Sequence, residues 1–163
     1  MQRMSKRINK RISKAFTLVE VLIVVVILGI LAAIAIPQFA SATDDAKTSA
    51  VQGTTAGVRS AIASYRTSAV IQGSAPYPTL TQLTDGTVIK FALPINPFTQ
   101  VGGVQSVSQG EATARSVVSP GTAGWNYFVD NNATPPVAVF YANSDAATTA
   151  PDGNGSTLSA NGI

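Results

Sequence analysis

The 163-residue chain contains no cysteine and no histidine. The first absence excludes disulfide staples and thiolate metal sites, and leaves the redox compartment unread. The second removes the commonest general base and the commonest metal ligand. Charge is also scarce, with 12% of residues Asp, Glu, Lys or Arg. Arg3, Lys6, Arg7, Lys10, Arg11 and Lys14 are six of the eleven basic residues, so from Phe16 onward five basic side chains face eight acidic ones. The formal +3 of the whole chain therefore conceals a body three charges negative. No basic stripe runs through that body, and no nucleic-acid partner is expected. Walker A, G-x-S-x-G and H-E-x-x-H patterns are missing too, so the reading is not an enzyme and calls for no cofactor.

What the chain does have is one long apolar run. Residues 1–15 form a short basic arm, and Phe16 to Ile36 then holds only Thr17 and Glu20 as polar residues. As a helix, that stretch spans roughly 31 Å, about one hydrocarbon thickness. A secretory signal would have a shorter apolar core ending in a small-residue cleavage site. Here the uninterrupted run, Val21 to Ile36, ends at Pro37. Its Val and Ile content is poor for an isolated helix in water, but in lipid the backbone must satisfy itself as helix. The reading is a single membrane span with its basic end cytoplasmic and the remainder on the far side.

Glu20 is the exception in that span. A carboxylate costs on the order of 2.5–3.5 kcal/mol at the centre of a membrane helix, and less near an end. One reading lets it snorkel to the interface. The other pairs it with a cation brought by another chain. A cut before Phe16 would create such a cation, an α-amino group at the same depth.

Lys14-Ala15-Phe16-Thr17-Leu18-Val19-Glu20-Val21-Leu22-Ile23 resembles the class III signal junction of type IV pilins and type II secretion pseudopilins. In that family a basic leader ends in Gly and is followed by Phe-Thr-Leu-x-Glu, an apolar run and a later Pro. The resemblance implies cleavage between Ala15 and Phe16, and N-methylation of Phe16, by a membrane prepilin peptidase. It implies that Glu20 neutralises the amino terminus of a neighbouring subunit during assembly, and that Pro37 matches the proline that kinks and loosens the helix. Ala15 stands where the family usually has Gly. The partners so implied are the membrane, like subunits in a filament and the secretion or pilus assembly platform.

Residues 38–72 read as an amphipathic continuation of the helix, with Phe39, Ala46, Val51, Val58, Ile62, Tyr65 and Ala69 near one face. Gly53 and Gly57 read as close-packing positions, and Gly73 as the C-cap. Residues 73–142 read as a small β-containing globular part. A helical turn is expected at Pro78–Leu83, a stiff crossing at Leu93–Phe98, and a long loop at Gln100–Ser119 with at most a weak strand. Two clear strands are expected at Trp125–Val129 and Val137–Ala142. Alternation puts Trp125, Tyr127 and Val129 on one face, packed on the helix, with Phe128 opposite. Residues 143–163, rich in Ala, Thr, Gly, Ser and Asn, read as a flexible tail. Asp152-Gly-Asn-Gly-Ser156 begins like a calcium loop but lacks its later acidic ligand, and no metal site is assigned.

Tyr77–Leu83, Leu93–Thr99, Gly124–Tyr127 and Ala142–Ser144 fall in an order similar to the soluble half of pseudopilins. The expected fold is α+β and pilin-like, a long N-terminal helix packed on a small antiparallel sheet. The expected function is a structural filament subunit of the inner membrane, in a type II secretion pseudopilus or a type IV pilus-like fibre. The alternative is a non-polymerising membrane-anchored module with a periplasmic binding sheet.

Overall fold

The computed structural model describes residues 16–163; the basic arm 1–15, with Ala15, lies outside them. Two compact units result, one ending at Ala40 and the other spanning Ser41–Ile163. A single helix, α1 (Leu18–Ile71), supplies residues to both and carries Pro37 in its interior. Proline there removes one backbone hydrogen bond from the helical ladder. In the first unit the large side chains from Phe16 to Ile36 are 50–85% exposed. No core among the described residues covers them.

The second unit is built on the C-terminal part of α1. Its buried residues are Thr48, Val51, Thr55, Val58, Ile62 and Ala69, spaced by threes, fours and one seven as a single helical face requires. Two members of the expected face differ, since Phe39 is 74% exposed and Ala46 is exposed. The threonines 48 and 55 take the inward positions that periodicity in apolar residues alone did not assign. Gly53 has open space where a Cβ would stand, and a Cβ on Gly57 would meet Phe91 at an ordinary 3.7 Å, so neither glycine marks close packing. The helix ends as expected. Gly73 has φ +66°, and Ser74 N–H reaches back to Ala69 O at 2.9 Å, the six-to-one bond of a left-handed helix cap.

Against this helix lies a three-stranded sheet in the order β1 (Val104–Ser106), β2 (Trp125–Asp130), β3 (Val137–Ala142). The β2–β3 pair is antiparallel, with Tyr127 opposite Phe140 and Trp125 opposite Ala142. β1 pairs parallel to β2, Val104 with Trp125, so the sheet is mixed where a wholly antiparallel one was expected. Strand alternation sorts the aromatics as expected. Trp125, Tyr127, Phe140 and Val129 join Val51, Val58 and Ile62 in the main core. Phe128, Val139 and Tyr141 pack on the other side with Val107 and Ala112. Trp125 and Phe140 stack at 5.6 Å between centroids.

The proline-rich segments lock this sheet from outside its ladder. Trp125 Nε1–H donates to Pro94 O at 2.9 Å, and the Tyr127 hydroxyl donates to Pro78 O at 2.8 Å. Proline carbonyls remain full acceptors although proline donates nothing. The helical turn is α2 (Leu80–Thr84), capped by Thr79 and Gln82.

Two expectations are corrected by regular structure. The loop read at Gln100–Ser119 holds the weak strand allowed there, β1, and also a six-residue helix that was not expected, α3 (Gln109–Ala114), opened by a Ser108–Glu111 capping box. The stretch read as a flexible tail holds β4 (Ala147–Pro151) paired antiparallel with β5 (Thr157–Ser159), then a 3-10 turn, Ala160–Gly162. Ala160 is fully buried, and Thr149 N–H donates to the Thr48 hydroxyl at 3.1 Å. Small residues looked like a linker because none has a strong apolar signal alone. Close packing is what they permit once a partner surface exists.

Candidate assembly site

The candidate site of the sequence is the junction Ala15, Phe16, Glu20 and Pro37. Ala15 lies outside the described residues. Phe16 precedes the helix and is 85% exposed. Glu20 sits in the first turn of α1, and Pro37 lies within the same helix, seventeen positions further on. The two are therefore separate features, one at the start of the apolar stretch and one past its end.

The helix start has a definite geometry. Thr17 N–H and the Thr17 hydroxyl both donate to Glu20 Oε2 at 2.9 Å. In return Glu20 N–H donates to Thr17 Oγ1 at 3.2 Å. Val21 N–H bonds Thr17 O at 3.3 Å, closing the first turn. This is a reciprocal capping box, in which the N-cap hydroxyl and the carboxylate at the third helical position each satisfy an orphan backbone donor. The carboxylate also lies at the positive end of the helix dipole.

Sequence reasoning missed this role. Thr17-x-x-Glu20 ahead of an apolar run is the sequence signature of such a box. Glu20 was read as a charge that either snorkels to the interface or meets a cation of another chain, whereas two donors of its own chain hold one of its oxygens. Oε1 accepts no hydrogen bond among the described residues. Among the described residues one oxygen is committed and the other is open.

Beyond Glu20 the helix offers an apolar surface on all sides, with a mean hydropathy of 3.1 over its best eighteen-residue window and none of that window buried. It is long and apolar enough to cross a membrane. A family model for the prokaryotic N-terminal methylation motif matches residues 10–36, which takes in the end of the basic arm, Phe16, Glu20 and the apolar run. The chain carries a prepilin-type N-terminus. The motif supports a type IV pilin-like class, and the architecture agrees with it, a long apolar N-terminal helix followed by a small mixed sheet. Searches of curated proteins and of solved structures return no match.

Among the described residues no group of three or more carboxylates is placed to hold a metal ion. Asp152 uses one oxygen, Oδ1, to accept from Asn154 N–H at 2.7 Å and Ser156 N–H at 3.0 Å. Its loop is the turn that joins β4 to β5.

Proposed function

We propose that the chain is a structural subunit of a type II secretion pseudopilus or type IV pilus-like filament, stored in the inner membrane and polymerised through α1. Prepilin peptidase would cut between Ala15 and Phe16 and methylate the Phe16 amine. The body would lie on the periplasmic side, and the assembly platform would draw the subunit from the lipid into the fibre. The observation that carries this reading is the half-committed Glu20 carboxylate, at the threshold of a helix whose apolar surface has no cover among the described residues.

The physical sequence is simple. In lipid, the exposed Val, Leu and Ile side chains of α1 are satisfied by acyl chains. In a fibre, the same side chains would be covered by the helices of other copies. That exchange is nearly neutral for apolar groups, because lipid tails are as apolar as leucine. It is not neutral for Glu20, since an uncompensated buried charge is heavily penalised and a matched one is tolerated. Thr17 supplies part of the match within the chain. The Phe16 amine of a neighbour, presented to Oε1, would supply the opposite charge and fix the axial register. Pro37 would leave the helix one backbone bond short and easier to loosen as the fibre packs.

The test has two parts. Mass spectrometry of the purified protein should find a chain beginning at methylated Phe16, and an intact Met1 start would remove the processing step. Glu20→Ala should leave membrane insertion unchanged while filament incorporation falls. Unchanged filament yield would remove Glu20 from the mechanism, and with it the filament reading's main support.

A further inference from the structure

Arg59 and Arg66 on α1 and Arg115 just after α3 line one cleft of about 320 Å³ in the second unit, with Ile62, Tyr77 and Phe140 among its walls. No Asp or Glu side chain lines it. Arg59 donates to the main-chain oxygens of Ile163 at 2.8 Å and Phe140 at 3.3 Å. Arg115 donates to Asn161 O at 3.2 Å, and Arg66 lies 5.0 Å from the centre of the Tyr77 ring. Even with the Ile163 oxygen counted as fully anionic, two of the three charges stand unneutralised. Burial, and then the charge of Arg115, lower the pKa of Arg59 from its ordinary value, as expected for like charges held close. Arg115 also sits at φ 50°, in the left-handed region that a helix end usually gives to glycine. The fold thus tolerates both strain and repulsion to gather these cations.

The acids show the complementary pattern. Glu20, Asp85, Glu111, Asp130 and Asp152 each accept from backbone N–H groups within four residues. Asp44 pairs with Lys47 at 3.7 Å, the one salt bridge among the described residues. Only the exposed side chains of Asp45 and Asp145 have no partner among the described residues. Asp45 lies on α1, the helix that also carries Arg59 and Arg66. In two parallel copies offset by fourteen to twenty-one residues, roughly 21–32 Å of axial shift, Asp45 of one comes level with Arg59 or Arg66 of the other.

We propose that this arginine cleft receives the Asp45 carboxylate of a second copy of the chain. Guanidinium forks bind carboxylates with two parallel hydrogen bonds, and the apolar walls exclude water from the pair. The inference deepens the filament reading and rests on it for the parallel arrangement of the copies.

The absence of cysteine makes the test direct. Two tagged full-length chains, one with Ala46→Cys beside Asp45 and one with Ala63→Cys at the cleft, are co-expressed in membranes and treated with a short bismaleimide. A cross-linked heterodimer is expected. Arg66→Glu on the Ala63→Cys chain should lower its yield about tenfold or more, Arg66→Lys should largely retain it, and Asp45→Arg on the other chain should restore it. Emission from Trp125, the only tryptophan, reports whether the fold survives. If Arg66→Glu disturbs it, Arg66→Gln takes its place and must show the same loss. A yield indifferent to Arg66, or rescue by Asp145→Arg in place of Asp45→Arg, overturns the assignment. Methylated, filament-forming protein with an indifferent cross-link sinks the cleft alone. A chain that keeps Met1 removes the processing step, and Glu20→Ala with unchanged filament yield removes the filament reading's main support; neither result alters what the charge swap says of the cleft.

Discussion

Gly124 has no room for a side chain. A Cβ there would stand 2.1 Å from Val101 O and 2.9 Å from Asn96 Cβ. The crowding follows from Asn96, which is fully buried, donates to Gly124 O at 2.8 Å and accepts from Phe98 N–H at 3.0 Å. Gly124 N–H in turn reaches Gly102 O at 3.0 Å. Three chain segments cross at this point, and only glycine lets them approach. Gly124→Ala should therefore destabilise the second unit by about 1–3 kcal/mol or more, seen as a lower urea midpoint followed through Trp125 emission. Val101→Ala would not rescue it, because the clash is with a backbone oxygen. Asn126 and Asn143 show the same dependence on distant partners. Asn143 Nδ2 donates to Val118 O and Ala123 O at 2.8 Å, and its Oδ1 accepts from Val118 N–H at 2.8 Å and from Asn126 Nδ2 at 3.0 Å. An asparagine in a sequence says nothing of this until its neighbours are known.

At the scale of elements, one device recurs. Thr17 with Glu20, Thr79 with Gln82 and Ser108 with Glu111 each open a helix by reciprocal capping. α3 has six residues, too few to persist on propensity alone. Its cap and the packing of Ala112 hold it. Ser108→Ala should cost about 1 kcal/mol and show as earlier amide exchange in residues 109–114. The Ser108 backbone N–H and then its hydroxyl hold the Glu111 carboxyl below its ordinary value of 4.5. A carboxyl whose folded pKa is depressed contributes stability above its unfolded pKa and loses it as pH falls through the folded one. The Ser108 amide resonance should accordingly titrate with a midpoint below 4.5, and in Ser108→Ala that midpoint should move upward. A midpoint unchanged by the substitution would show that the box is not formed in solution. For the strands, the alternation of Trp125, Asn126, Tyr127 and Phe128 was legible as two faces. The parallel partner β1 was legible only as a weak strand somewhere in Gln100–Ser119, since three residues, Val-Gln-Ser, carry too little pattern to place it or to show its pairing.

For the whole molecule, the charge asymmetry gives a test that needs no structure. The 163-residue chain has a pI near 9.5. Removal of residues 1–15 takes six cations away and leaves five basic side chains against eight acidic ones. Processed protein should focus at acidic pH, and Ala15→Arg, which places a bulky charge at the proposed cut, should leave it basic. An acidic species that persists in Ala15→Arg would place the cut elsewhere. The same asymmetry bears on association, because bodies of net negative charge repel one another unless their few cations are placed to meet acids across an interface.

The sequence by itself determined what depends on neighbours along the chain. The membrane-length run, the inward face of α1 from Val51 to Ala69 and the two-faced strands β2 and β3 all follow from spacing and period. Even the Thr17–Glu20 box was written in four consecutive letters. The tertiary structure decided what depends on residues far apart. Thr48 and Thr149 meet across 101 positions, Tyr77 is clamped by Asn131 across 54, and Arg59 and Arg115 share a cleft although 56 positions separate them. The physical reason is that small and polar side chains carry no burial preference strong enough to declare their place. Their position is set when a hydrogen-bond partner or a close surface is brought to them, and only the folded chain brings it.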